Sequence, residues 1–321
     1  MTAVQPSLSV LVAVCQSARF LRRLVASLAA QDVADAEFLF CDDASTDGSV
    51  EVLKGLLDEQ GLAPRARILC HDQRRGVAAT RQDLFAAANG EYFIFADADD
   101  AVDAGMYAGL LAAAREQGAD LAWEGWIEVP PDGRSEIRRT EQLSEPSAAA
   151  LRQAILRGDL HGSLCNKLIR RDFAQAAGAS FCEGLTCCED LDFLMDVLAA
   201  NPKVTHVDGC HYRYLRRRDS LSSGSSLPHL ASLQQIAAHL ERLFAEPADR
   251  EAVQAFKARF RSYAAIDFTV PDRVFAAYFP EVRCLLPNAH PLGRRIAFWL
   301  SAHGLRPIVR WTWRLMHRGV S

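Results

Sequence analysis

The sequence predicts an α/β fold: a mostly parallel sheet with helices on both faces, followed by a helical C-terminal extension. Two observations predict it. Over the first hundred residues short apolar runs alternate with segments of helical period. From residue 228 onward the text is helical and punctuated by proline. Strands that alternate with crossover helices run parallel to one another.

The elements follow in order. "LSVLVAV" (8–14) is an unbroken apolar run, as in a strand covered on both faces. "RFLRRLVASLAAQ" (19–31) carries a helical stripe at Phe20, Leu21, Leu24 and Leu28. "EFLFC" (37–41) reads as a strand, and "DGSVEVLKGLLDEQG" (47–61) as a helix stopped by Gly61. "ARILC" (66–70), "GVAATRQDLFAAANG" (76–90) and "EYFIFA" (91–96) repeat strand, helix, strand. Beyond 103 a helix (103–117) leads to "DLAWEGWIEV", a turn at 130–133 and a return strand to about Arg139. A helix over 147–157 and another over 189–200 follow. "KVTHVDGCHYRYL" (203–215) reads as two short strands around Asp208-Gly209, and 216–226 as a polar loop.

The 321 residues carry a formal charge of −4, which argues against a nucleic-acid partner held by overall basicity. Charge is uneven, since 293–321 hold six Arg and no acidic residue. Within that tail Arg306, Arg310, Arg314 and Arg318 recur every fourth residue among Ile308, Val309, Trp311, Trp313, Leu315 and Met316. This suits a basic amphipathic helix on an anionic bilayer, or a helix packed on the domain with its Arg solvated. No apolar stretch approaches the roughly 18 residues of a membrane span. The first apolar run lacks a preceding basic segment and reads as a strand rather than a leader. Nine cysteines without a CxxC pair suggest reduced thiols and a cytoplasmic setting.

In open α/β sheets ligands bind at the carboxyl ends of the strands, where the acidic clusters fall. "FADADDA" (95–101) places Asp97, Asp99 and Asp100 after the fourth strand. Carboxylates so crowded repel, and a hard divalent cation such as Mg²⁺ or Mn²⁺ would relieve the repulsion. "CDDAST" (41–46) places Asp42 and Asp43 after the second strand, at a helix start where Ser45 and Thr46 can serve as caps. "CCEDLDF" (187–193) puts Glu189 and Asp190 in a helical first turn, where the helix dipole favours an ionised carboxylate.

The order of these blocks resembles family 2 glycosyltransferases with the GT-A fold, over about residues 7–222. The resemblance implies an inverting transfer from a nucleotide-diphospho-sugar, by default a uridine one, to a hydroxyl of a glycan or lipid-linked acceptor. It implies a catalytic domain over 1–225, with a nucleotide-binding half (1–102) and an acceptor-binding half (103–225), and a helical region over 226–321. Val14 and Asp43 match positions that hold the base, Arg81 lies near the nucleotide, and Asp97 faces the ribose. Asp99 matches the ligand of a divalent cation, Mn²⁺ or Mg²⁺, with His211 a further ligand. Asp190 matches the catalytic base. "RRRDSLSS" (216–223) matches a loop over the donor, which makes Arg216, Arg217, Arg218 and Ser220 candidate phosphate contacts. The resemblance also implies work on envelope polysaccharide, peripherally at the inner face of the cytoplasmic membrane.

Departures from the family pattern are local. Ala13-Val14-Cys15-Gln16 replaces the usual Pro-x-Tyr-Asn, Ala44 replaces a Gly, and Gln82 replaces an Asn. These bear on base and sugar selectivity. Two rivals stand beside this reading: a non-catalytic nucleotide-sugar binder with a decayed site, and a phosphatase of the haloacid-dehalogenase type. The second expects its acidic pairs in the opposite order and Thr or Val where Ala101 stands.

Overall fold

In a computed structural model the described residues are 5–131, 135–217 and 227–266, with isolated positions between 296 and 311. The chain divides into two compact units, Met1–Arg152 with Leu160–Ser220, and Gln153–Asp159 with Leu221–Ser321.

The first unit is built on β1 (Leu8–Val14), β2 (Glu37–Asp42), β3 (Ala66–Cys70) and β4 (Tyr92–Asp97), all parallel in the order β3-β2-β1-β4. The intervening helices are α1 (Leu21–Ala29), α2 (Ser49–Glu59) and α3 (Val77–Ala87). The sheet grows outward from β1 through β2 to β3 and then returns to place β4 on the other side of β1. With right-handed crossovers, that reversal puts α3 on the face opposite α1 and α2. The crevice between β1 and β4 is thus the switch point where such sheets bind ligands. Register confirms that the strands end together: Val14 pairs with Asp42 and Ala13 with Asp97.

The second half makes the sheet mixed. After β5 (Ala101–Val102) and α4 (Met106–Gln117) come β6 (Leu121–Val129), β7 (Ile137–Arg139), α5 (Ala148–Arg157), β8 (Lys167–Arg170), α6 (Arg171–Ala176), α7 (Glu189–Ala199) and β9 (Val204–Leu215). β8 joins β4 antiparallel, β6 joins β8 antiparallel, and β9 runs parallel to β6 while pairing antiparallel with β5. The segment 203–215 is one strand, not two. Its register on β6 slips around Gly125, where β9 carries extra residues near Asp208-Gly209. A Cβ on Gly209 would lie 2.7 Å from Glu124 Oε2, so the bulge needs glycine to let that carboxylate reach His211.

Aromatic packing fixes α7 to the parallel half. Phe193, fully buried, stacks on Phe181 at 4.4 Å and meets Phe85 at 5.2 Å and Phe93 at 6.1 Å. Burial of one such ring contributes about 2–3 kcal/mol. Its helical position brings the first turn of α7, with Glu189 and Asp190, to the carboxyl end of β4.

The second unit contains α8 (Leu227–Leu243) and α9 (Pro247–Ile266), which pack on each other. Pro247 opens α9, where its missing N–H costs nothing. Gln153 ties the segment 153–159 to α9 through Asp249 Oδ1 at 3.1 Å. Of the basic tail, Arg306, Arg310, Arg314 and Arg318 lie outside the described residues, as does most of 293–321. No helix among the described residues is long and apolar enough to cross a membrane.

Candidate active site

Arg81 organises the site. It projects from α3, and its buried guanidinium donates to Glu189 Oε1 at 2.7 Å and to Asp97 Oδ1 at 2.9 Å. Asp190 Oδ2 lies 3.9 Å away, and the Phe95 ring 5.6 Å below. Burial works against the charge, but Glu189 and Asp97 outweigh it and raise the Arg81 pKa. Glu189 is pushed up by burial, against the pull of Arg81. One cation therefore holds the strand-end carboxylate and the α7 carboxylates together.

Exposure separates the acids into two sets. The side chains of Asp97, Asp99 and Asp190 are 38%, 25% and 24% exposed, whereas Glu189 keeps 8% and Asp43 7%. Only the first set can meet a substrate.

Asp99 Oδ2 pairs with Arg217 at 2.6 Å, and Arg23 reaches its carbonyl at 3.4 Å. Arg217 also lies over the Phe20 ring at 4.5 Å, with Arg19 at 4.4 Å from the same ring. Burial, then the charge of Asp97, pushes the Asp99 carboxyl up, with Arg217 opposing. Hard oxygens that repel each other fit a divalent cation, and Asp99 would hold it. No cluster of three or more His, Cys, Asp or Glu that could hold a metal occurs among the described residues. A cation there would need oxygens from a bound phosphate.

Asp100 is not part of this open set. It is 1% exposed, accepts from Tyr212 Oη at 2.7 Å and from the Leu215 N–H at 2.8 Å, and latches β4 to β9. Burial, then Asp97 and Asp99, pushes its pKa well up. Tyr212 Oη in turn accepts the Asp97 N–H at 3.2 Å.

His211 is not brought to Asp99. The β5–β9 register sets Ala101 against Arg213, and the Asp103 N–H bonds the His211 carbonyl, so Asp99 lies level with Leu215 instead. Four residues of strand span roughly 13 Å. His211 instead gives its N–H and Nδ1 to Glu124 at 2.8 and 2.9 Å.

The other expected positions fall as follows. The Asp43 carboxylate accepts from His71 Nδ1 (2.8 Å) and from the N–H groups of Arg75 (2.7 Å) and Gly76 (2.9 Å). Burial pushes Asp43 up, but these donors prevail and hold it below the usual range. It thereby props the 70–76 loop, which lines a depression of about 530 Å³ with Cys70, His71, Asp72, Gln73 and Arg75. Val14 ends β1 with its side chain buried and its carbonyl taken by the Asp43 N–H. Arg216 pairs with Glu128 at 3.0 Å. Arg218 and Ser220 lie outside the described residues.

Sequence reasoning did not single out Tyr212, His71, Arg19 or Arg23. Only "RFLRR", with cations at a helix start, carried a signal for the last two.

The family model "Glycosyl transferase family 2" matches residues 9–178. The chain belongs to this family. Succinoglycan biosynthesis protein ExoO of Rhizobium meliloti is 26% identical over 235 residues, 71% of this chain and 66% of that protein. Cholesterol galactosyltransferase of Borreliella burgdorferi is 24% identical over 242 residues, 70% of this chain and 64% of that one. The chain thus spans about two thirds of the length of these relatives. Among solved structures, S. aureus TarS 1–349 in complex with UDP-GlcNAc superposes with a TM-score of 0.73 at 18% identity, covering 96% of this chain and 92% of that one. Mannosyltransferase PcManGT from Pyrobaculum calidifontis, in complex with GDP-Man and Mn²⁺, gives 0.57 at 15% identity, covering 94% and 88%. The fold is therefore GT-A, and residues 9–178 form a family 2 glycosyltransferase region.

Proposed function

We propose that this glycosyltransferase moves a sugar, with inversion, from a nucleotide-diphospho-sugar, by default a UDP-sugar, to a hydroxyl of a glycan or lipid-linked acceptor in envelope polysaccharide synthesis. The observation that carries the reading is Arg81 bound to both Asp97 and Glu189, which brings the acidic end of β4 and the start of α7 to one edge. Asp190 is the more open carboxylate of the Glu189–Asp190 pair and serves as the base that takes the acceptor hydroxyl's proton as its oxygen attacks the anomeric carbon. Attack comes from the face opposite the leaving diphosphate, as water attacks in inverting glycoside hydrolysis.

Asp97 faces the ribose, and the β1 and β2 ends at Val14 and Asp43 shape the base site beside the 70–76 loop. Arg81 acts through Asp97 and Glu189 rather than on the donor. Arg217, Arg19 and Arg23 offset the charge of the departing diphosphate, with Arg218 and Ser220 from the same loop as Arg217. When bound at Asp99, Mn²⁺ or Mg²⁺ supplies further charge neutralisation there. The basic tail 293–321 brings the enzyme to the inner membrane face, and deleting it should reduce the membrane-bound fraction.

The test is release and transfer from a panel of nucleotide sugars with Mn²⁺, comparing wild type with Asp190→Asn. The variant should lose transfer by about 10²–10⁴-fold while still binding donor. An equally active variant would refute the base assignment.

A further inference from the structure

The acceptor half carries an aromatic platform that the mechanism above does not use. On β6 the half-buried Trp126 indole meets the His161 ring at 5.2 Å and the Tyr214 ring at 5.7 Å. Trp126 and Tyr214 are half-buried and His161 is exposed. Trp123, on the same strand, is fully buried and belongs to the core.

Charged groups buried beneath the platform hold it in place. The Glu141 carboxylate accepts from Trp126 Nε1 at 2.9 Å, the His161 N–H at 2.7 Å and Asn166 Nδ2 at 3.2 Å. Lys167, whose side chain is 0% exposed, donates to the carbonyls of His161 (2.9 Å) and Ser163 (2.8 Å) and to Asn166 Oδ1 (2.8 Å). Its Nζ lies 4.0 Å from Glu141 Oε2. Burying a lysine and a glutamate is costly, and an apolar pair of similar volume would serve stability as well or better. What this network fixes is the orientation of the 161–163 loop and of the Trp126 ring.

The platform adjoins the reacting groups. Trp126 lies opposite Tyr212 in the sheet register, so the two share a face, and Tyr214 follows two residues later on that face. Tyr212 is the residue bonded to the Asp97 N–H and to Asp100. Cys165, two residues after Ser163 and bonded to the Ser163 hydroxyl through its own N–H at 3.1 Å, is buried in the same loop.

The geometry assigns Trp126, Tyr214 and His161 as an acceptor subsite for a pyranose ring. A sugar's apolar C–H face packs on aromatic rings, while its rim of hydroxyls needs the polar groups that flank them. The assignment rests on the glycosyltransferase reading and names the chemistry of its acceptor: a sugar ring rather than a bare lipid or peptide hydroxyl.

Saturation-transfer NMR tests it, with UDP present and with cellobiose and n-hexyl β-glucoside as probes. Wild type should saturate the ring protons of both probes. Trp126→Ala and Tyr214→Ala should each weaken the signal about fivefold, as loss of one aromatic contact implies. Trp126→Phe should recover part of it. Tyr214→Ala keeps the donors to Glu141 in place, and circular dichroism reports whether each variant is folded. Unchanged saturation in folded Tyr214→Ala, saturation confined to the hexyl chain, or none from wild type to either probe would overturn the subsite. Failure of wild type to release UDP from any nucleotide sugar would instead sink the reading beneath it.

Discussion

Arg81 Nη1 lies 2.7 Å from Glu189 Oε1, across 108 residues of sequence, and both side chains are buried. Neither tolerates loss of the other, because an uncompensated buried charge remains. Arg81→Ala should cost about 3–5 kcal/mol of stability. Arg81→Lys keeps the charge but cannot reach Asp97 and Glu189 together as a planar fork does. It should fold, with a lowered Tm, and transfer poorly. Thermal unfolding beside a donor-release assay separates the two effects, and a fully active Arg81→Lys would contradict the bridging role.

The Asp100 latch has a pH signature. Its carboxyl is pushed well above the usual range by burial and by Asp97 and Asp99. The folded state thus holds a proton that the unfolded state gives up, and stability falls as pH rises between the two pKa values. Asp100→Asn can still accept from Leu215 and donate to Tyr212. It should gain on wild type in Tm as pH goes from 5 to 8. Asp100→Ala strands the Leu215 N–H and the Tyr212 hydroxyl, at a cost of about 2 kcal/mol or more.

His211→Ala should leave the Mn²⁺ concentration for half-maximal transfer unchanged, because the imidazole serves Glu124. The loss should appear in stability, about 1–3 kcal/mol, as Glu124 keeps its burial without that partner. A shifted metal dependence would return His211 to the ligand set.

Asp43 shows the opposite pH sign. Its pKa is held low by the Arg75 and Gly76 amides and by His71, against burial. The stabilisation is present above the ordinary carboxylate pKa of about 3.9 and is lost as pH falls through the lower folded-state value. Asp43→Asn should cost about 1–3 kcal/mol at pH 7 and weaken donor binding through the 70–76 loop. Denaturant titrations at pH 7 and pH 3 should show the gap narrowing in acid.

The first four strands and three helices were legible because apolar runs and helical stripes are local signals. Asp208-Gly209 reads as a turn in the sequence and predicts two strands where β9 is one. There the glycine instead makes room for Glu124 in a bulge. Asp99 and Asp100 are indistinguishable in the sequence, yet one is half-buried and open beside Arg217 and the other is sealed under Tyr212. His211 is a metal ligand only by the family resemblance, and its pairing with Glu124 depends on a strand register that one strand alone does not show.

Composition and motif order determined the fold class, the sheet edge where the carboxylates gather and the family. Tertiary structure decided which carboxylates face solvent, which cation holds which acid, and where the aromatic platform stands. Those choices turn on burial and on contacts between residues far apart in the chain. A carboxylate's chemistry depends on its surroundings, and the surroundings exist only once the sheet has formed.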